Sequence, residues 1–343
     1  MSLKLLTDLD GVSGNEGAVR AYILEKIQPF ADSVTVDAMG NVIAFKRGKQ
    51  RHDKKILVCA HMDEVGLIVS GITDDGYLKF QAVGGVDDRI LLSQRVRIGA
   101  QQIPGAIGVK AVHLQSREER KHVIKIEDLY IDIGARDKSD AMKSVGLGDY
   151  AAFDSEYREL GSCVKAKAID DRAGCLTLLH CIQKQYDSDL YFCFSVQEET
   201  GLRGARVLAH RLQADMAIVF EATTAADVPF LEPHQQATQL GGGPAVSIMD
   251  RASCSNKALN QWIVDTAAAA DIPFQWKRTT FGGNDAGSLA TAGGACATAV
   301  ISLPCRYLHS PVSMANKQDL EAMQRLADCL LTQISQFDGK QKG

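Results

Sequence analysis

Apolar residues recur at helical spacing at Val19, Ile23, Leu24 and Ile27, so residues 16–30 are predicted to form a helix. The segment VTVDAMGNVIAFKRG follows, two short β-type runs about a Gly turn, and reads as a pair of strands. Residues 55–60, in essence ILVCA, form a continuous apolar run that predicts a central strand buried on both faces, with HMDE at its C-terminal end.

From about residue 66 to 160 the texture changes to short β-type runs punctuated by glycine: GLIVSGI, GYLKFQAVGG, QRVRIG, IPGAIGV, LYIDIGA and DYAAFDSEYREL. Such a meander does not thread into a parallel sheet, so a separate small β-rich domain is expected there. Beyond residue 160 helices and strands alternate: RAGCLTLLHCIQK, DLYFCFSV, LRGARVLAHRL, MAIVFEA, GPAVSIMD, ALNQWIVDTAAAA, FQWKRTTF, ATAVISLP and DLEAMQRLADCLLTQI. That alternation predicts an α/β fold with a mixed, largely parallel central sheet flanked by helices. The expected division is a discontinuous domain over 1–65 and 161–343 with an insert over 66–160. At 343 residues the chain exceeds the roughly 250–300 at which one core usually splits.

Composition narrows the class. The chain is 45% hydrophobic and 23% charged, an ordinary globular balance. Its net charge of −4 gives no electrostatic reason to expect nucleic acid or an anionic membrane as partner. The apolar start is broken by Asp8 and Asp10, unlike a secretory signal, and no run approaches the ~20 apolar residues of a membrane span. Nine scattered cysteines, none in a Cys-x-x-Cys pair, argue against a disulfide framework or a cysteine zinc site and point to the cytoplasm.

Side chains able to bind metal repeatedly follow an apolar strand. His61 and Asp63 follow ILVCA, Glu198 and Glu199 follow YFCFSVQ, Glu221 follows MAIVF, and His309 stands after AVISLPCRYL. Asp170 and Asp171 precede the helix opened by RAG. In a parallel sheet these ends converge on one edge, where ligands bind, and imidazole and carboxylate donors suit zinc, cobalt or manganese. Taken singly, each has a plainer reading: a satisfied histidine, a solvated Glu pair, a helix cap at Asp170–Asp171. Their shared position at strand ends is what favours a metal site.

The sequence resembles the tetrahedral dinuclear-metal aminopeptidases, the glutamyl and leucyl aminopeptidase type also labelled cellulase-like or endoglucanase-like. The resemblance runs along the chain through GVSGNE, DAMGNVIA, AHMDEVG, GAIGVKAVH, LYIDIGA, GLGDY, AIDDRAGC, VQEETGLRGA, EATTAADVP, GGGPAVSIMD, GGNDAG and YLHSP. It implies removal of the N-terminal residue of peptides by a zinc-peptidase-like domain holding two divalent ions, zinc first and cobalt or manganese as alternatives. On this resemblance Asp170 bridges the ions, His61 and Glu221 complete one site, and Glu199 and His309 complete the other. Glu198 is implied as general base and Asp63 as the carboxylate that orients the His61 ring. The insert resembles a PDZ-like dimerisation domain, which implies dimers assembled into a tetrahedral homododecamer, with His113 reaching a neighbouring subunit's site. Gly283 and Asp285 are expected to shape the substrate pocket.

Two departures stand out: Glu221 replaces the Asp of many relatives, and Asn284 the frequent Thr. Two other functions compete. A carbohydrate-active hydrolase needs two free carboxylates in an aromatic cleft, and Trp262 and Trp276 are few for that. A non-catalytic metal-binding scaffold is disfavoured because no expected ligand or base is missing.

Overall fold

The structure, a computed structural model, describes residues 2–50 and 54–337. Helix α1 (Leu3–Asp8) starts on Ser2, whose hydroxyl accepts from the Leu5 N–H, and α2 (Gly17–Ile27) buries the predicted Val19, Ile23 and Ile27. Strands β1 (Ser33–Val36) and β2 (Val42–Lys46) form a hairpin that leads into β3 (Ile56–His61), a strand buried at every position.

The chain then leaves the sheet. Strands β4 (Gly66–Ile72), β5 (Leu78–Val83), β6 (Arg95–Ile98), β7 (Ile103–Gly108), β8 (Tyr130–Asp132) and β9 (Tyr150–Phe153) close into a barrel in the order β4-β5-β8-β7-β6-β9, with the short helix α3 (Lys138–Ala141) before β9. Closure leaves no free strand edge. The barrel has its own core of Leu67, Phe80, Val96, Ile98, Ile131 and Phe153. Strand β10 (Arg158–Leu160), inside the segment expected as insert, instead pairs with β11 (Cys163–Ala166) in the large sheet.

The alternation resumes with α4 (Ile169–Cys181), β12 (Leu190–Ser195), α5 (Arg203–Leu212), β13 (Met216–Thr224), β14 (Ala245–Val246), α6 (Lys257–Ala269), β15 (Gln275–Trp276), α7 (Asp285–Thr291), β16 (Ala297–Arg306), β17 (Ser313–Asn316) and α8 (Lys317–Gln333). The large sheet runs β1-β2-β12-β3-β13-β16-β17-β11-β10. Its centre, β12-β3-β13-β16, is parallel, and both flanks are antiparallel.

Both faces are covered, which explains the continuous apolar runs. Ile56, Val58 and Ala60 pack with residues of α2, α4 and α8, while Leu57 and Cys59 face the other layer with Leu208 of α5 and Leu289 of α7. Truncating a side chain as enclosed as Leu57 costs roughly 2–5 kcal/mol. The segments GPAVSIMD and FQWKRTTF shrink to two-residue strands: Ala245–Val246 pair with β16, and Gln275–Trp276 pair in turn with them. Helix α7 escapes sequence reading because Asp-Ala-Gly-Ser-Leu-Ala-Thr has too few large apolar residues to show a period.

Candidate metal centre

The four parallel strands run to one edge of the sheet, and register fixes who meets whom: Ser195 stands opposite His61, and Glu221 opposite Ser302. His61 is the last residue of β3, and its side chain is 1% exposed. Its Nδ1 lies 3.0 Å from the Asp63 backbone oxygen. A carbonyl can only accept, so Nδ1 carries the hydrogen and Nε2 of the neutral ring offers a lone pair. His309 repeats the arrangement, with Nδ1 3.0 Å from the Gly85 carbonyl. That carbonyl comes from the turn after β5, where Gly84 has φ +84 and an added Cβ would meet Glu199, so the barrel reaches into the site at a position suited to glycine.

Both Nε2 atoms face carboxylates. His61 Nε2 is 3.2 Å from Asp170 Oδ1 and 3.5 Å from Glu221 Oε2. His309 Nε2 is 3.4 Å from Asp170 Oδ2 and 3.3 Å from Glu199 Oε2. The two oxygens of Asp170 thus point to different imidazoles. Metal–donor bonds of 2.0–2.2 Å in a tetrahedron imply donor–donor edges of about 3.3–3.6 Å, which these separations approach. Glu221 Oε1 is buried without a hydrogen-bond partner. A buried carboxylate oxygen left unpaired is costly unless a cation faces it, so the donor set fits divalent ions.

Asp170 and Asp171 have non-helical backbone angles ahead of the regular turns of α4, which turns both carboxylates towards β3. They then differ. Asp171 accepts from the backbone N–H groups of His61 (3.2 Å) and Gly174 (2.8 Å), although it also groups spatially with His61 and Glu221. Its oxygens are therefore already engaged, whereas those of Asp170 are free for the imidazole side. Ala168 (φ 53), Gln197 (φ 54) and His309 (φ 56) all hold left-handed backbone, as strained residues at functional sites often do.

The electrostatics carry the mark of excess negative charge. Burial, then the neighbouring carboxylates, pushes Glu199 up to about 8 and Glu221 up to about 7. Burial opposes protonation of His309, yet its hydrogen bond to Asp170 and the charges of Glu199 and Asp170 push it up to about 9. At Asp170 burial works upward and is overcome by His309 and His61, which hold that carboxyl well below its usual range. Glu198 lines the cleft outside these acid–imidazole pairs, and burial raises its proton affinity well above that of an ordinary Glu.

Asp63 lies behind the site. Its nearer contacts are the backbone N–H groups of Glu198 (3.0 Å) and Glu199 (3.1 Å) and the Ser13 hydroxyl, while Oδ1 is 3.4 Å from His61 Nδ1. Its carboxylate chiefly secures the Glu198–Glu199 turn, and its carbonyl sets the ring. Gly283 lines the cleft, as does Asn284, whose side chain caps α7. Asp285 does not: it is fully buried behind β3 and β12, bonded to the Ser195 hydroxyl and contacted by Cys59, because the first turn of α7 directs it inward. His113 is exposed on the turn Val112–Leu114 of the barrel segment and does not line the cleft of its own chain. Ser13, within GVSGNE, and Gly85, in a Gly-Gly turn, carry no local sequence signal of these contacts.

The cleft has a volume of about 640 Å³. No helix among the described residues is long and apolar enough to cross a membrane. The chain is 39% identical to a putative aminopeptidase of Acetivibrio thermocellus, covering 93% of this chain and 94% of that one. It is 32% identical to the lysyl aminopeptidase of Pyrococcus furiosus, over 98% and 97% of the two chains. A TET aminopeptidase from the archaeon Thaumarchaeota SCGC AB-539-E09 superposes with TM-score 0.93 at 35% identity, over 97% and 95% of the chains. The TET1 peptidase of Pyrococcus horikoshii, described as assembling into a tetrahedron or a large octahedral shell, gives 0.86 at 34%, over 96% and 98%. Residues 40–326 match the M42 glutamyl aminopeptidase family, and this chain, with its cleft of carboxylates and imidazoles, belongs to that family of metallo-aminopeptidases.

Proposed function

We propose that the cleft removes the N-terminal residue of peptides using two divalent ions, zinc or else cobalt or manganese. In this reading Asp170 bridges them, His61 and Glu221 hold one, and His309 and Glu199 hold the other. The observation that carries it is the pairing of each Asp170 oxygen with a different imidazole, at 3.2 and 3.4 Å. When bound, such ions supply Lewis acidity, an acidified water and an anchor for the free α-amine. Glu198 then does the proton work. Its burial gives it the basicity to accept the proton of the attacking water and to pass it to the leaving amine, a role worth about 10²–10⁴ in rate. Asp63 positions Glu198 and Glu199 through their backbone N–H groups, and the Asp63 and Gly85 carbonyls keep both imidazoles in the ligand tautomer.

The barrel-bearing insert, residues 66–160 less the strand β10, is assigned a PDZ-like dimerisation role within a cytoplasmic tetrahedral dodecamer. The described assembly of the Pyrococcus horikoshii relative and the exposed position of His113 support that assignment. Light scattering of the purified chain tests it, and a monomer at micromolar concentration would refute it. For the chemistry, the protein is stripped with a chelator and reloaded with each metal. Turnover of aminoacyl amides is expected to vanish and return. Chelator-resistant turnover would overturn the two-metal reading.

A further inference from the structure

Glu198 lines the cleft on a turn, and among the described residues no hydrogen bond or ion pair anchors its carboxylate. Its position therefore depends on its backbone. Gln197, just ahead of it, has φ 54, a conformation that a residue other than glycine keeps only where its surroundings impose it. The N–H groups of the turn show what imposes it. Those of Glu198 and Glu199 donate to Asp63, and that of Gln197 donates to Oε1 of Glu16 at 3.2 Å. Three successive N–H groups are thus held by two buried carboxylates from distant parts of the chain.

Glu16 is 3% exposed, and the same Oε1 accepts from the Gly14 N–H at 2.6 Å. It stands at the N-cap of α2, yet its side chain makes no capping bond to that helix. The carboxylate is turned instead to Gln197. A buried carboxylate is costly unless donors compensate it, and one of the donors here belongs to the residue before the proposed base. Glu16 also ends the segment GVSGNE, which is laced to the exit of β3. Glu64 N–H donates to the Gly11 carbonyl at 3.0 Å, Ser13 N–H to the Glu64 carbonyl at 3.1 Å, and the Ser13 hydroxyl to Asp63. Gly14, at φ +90, passes so close to the Tyr150 hydroxyl of β9 that a side chain there would collide with it. The loop over residues 11–16 is a bracket with one limb on Asp63 and the other on Gln197, and both limbs bear on the turn that carries Glu198.

We propose that Glu16 is a positioning residue for the reaction: by holding the Gln197 N–H it fixes the left-handed turn that presents the Glu198 carboxylate to the attacking water. This rests on the aminopeptidase reading above, in which Glu198 is the base.

The test measures kcat, KM and metal content for the metal-loaded wild type, Glu16→Gln, Glu16→Asp, Glu16→Ala, Glu198→Gln and the double variant Glu16→Ala with Glu198→Gln, using an aminoacyl anilide. Rates are taken per folded, metal-loaded subunit, so a loss of folded protein alters neither constant. Glu16→Ala is expected to lower kcat about 10- to 100-fold with KM little changed, as misplacement of a catalytic group does. Glu16→Asp, whose carboxylate stands one methylene short of Gln197, should fall in the same direction. Glu16→Gln, which keeps an acceptor oxygen, should stay within about threefold of the wild type. Because Glu16 acts through Glu198, adding Glu16→Ala to Glu198→Gln should cost little further, whereas independent effects would multiply. Should Glu16→Ala fail to fold, Glu16→Asp carries both comparisons. Wild-type kcat in Glu16→Ala and Glu16→Asp overturns the proposal. So does full multiplication of the losses in the double variant, a Glu16→Gln as impaired as Glu16→Ala, or a deficit that tracks lost metal, which would assign Glu16 to the metal sites instead. Full activity in Glu198→Gln sinks the choice of base and the positioning together, whereas an impaired Glu198→Gln beside a fully active Glu16→Ala removes the positioning alone.

Discussion

Two buried charge clusters lie within three residues of each other at the end of β3, and they are built on opposite terms. On one side of the chain, His61 joins Asp170, Glu199, Glu221 and His309, where acids outnumber bases and one carboxylate oxygen is unpaired. On the other, Glu64 accepts from Lys167 at 2.7 and 2.8 Å and lies 3.4 Å from Arg172, while Asp10 pairs with Arg97 of the barrel at 2.6 Å and with Lys167 at 3.3 Å. Arg172 also donates to the backbone oxygens of Met62, Leu6 and Leu9. With Asp154, 3.2 Å from Arg97, the second cluster sets its carboxylates against an equal number of cations, so it is neutralised from within, and it fastens the N-terminal segment, β3, α4 and the barrel together. The first is complete only with positive charge from outside. Burial alone does not mark a functional group; burial without internal compensation does.

That contrast can be broken in graded steps. The largest effect is expected for Glu198→Gln, which removes the base and leaves the donors in place. Turnover of aminoacyl amides should fall about 10²–10⁴-fold with metal content unchanged by elemental analysis. Activity near wild type would take Glu198 out of the chemistry.

On the compensated side, Glu64→Leu leaves Arg172 with backbone acceptors alone and Lys167 with the longer Asp10 pair, and should lower unfolding free energy by about 3–5 kcal/mol in denaturant titrations. A loss below about 1 kcal/mol would mean that this cluster is not the fastening inferred here.

Asp63→Asn probes the boundary between the two. It replaces an oxygen that accepts backbone N–H groups, so the Glu198–Glu199 turn loosens while His61 keeps its carbonyl partner. Metal affinity should weaken about 10- to 100-fold without disappearing, as measured by competition with a chromophoric chelator. An unchanged affinity would separate that turn from metal binding.

The smallest effect belongs to Asp10→Asn, about 1 kcal/mol at neutral pH. Burial raises the Asp10 pKa, but the Arg97 hydrogen bond and the Lys167 charge outweigh it, so the folded value lies below the ordinary 3.8. A depressed acid stabilises the fold above its unfolded pKa. The gap between wild type and variant should therefore be full above about pH 5 and close as pH falls below about 4, which thermal melts across that range can follow.

How far the sequence reaches depends on whether a residue's partner is local. The run ILVCA announces a buried strand, and the position of His61 just after it places an imidazole at the sheet edge. The meander over residues 66–160 announces a separate β unit, but barrel closure depends on the β4–β9 pairing, which no local pattern encodes. The same limit hides direction. Asp285 and Asn284 are adjacent in GGNDAG, yet one is buried against Ser195 and the other lines the cleft, a choice made by how α7 docks. Lys277 sits in FQWKRTTF, which reads as a strand, and only the fold shows that it lines the cleft.

The contact between Gly85 and His309 has a bearing on any attempt to make a minimal enzyme from this chain. Excising the barrel as a module would spare the sheet and every side chain that faces the proposed ions. It would also discard the carbonyl that tells one of the two imidazoles which nitrogen to present, so the truncated catalyst would keep its full set of donors and lose the instruction that makes one of them usable.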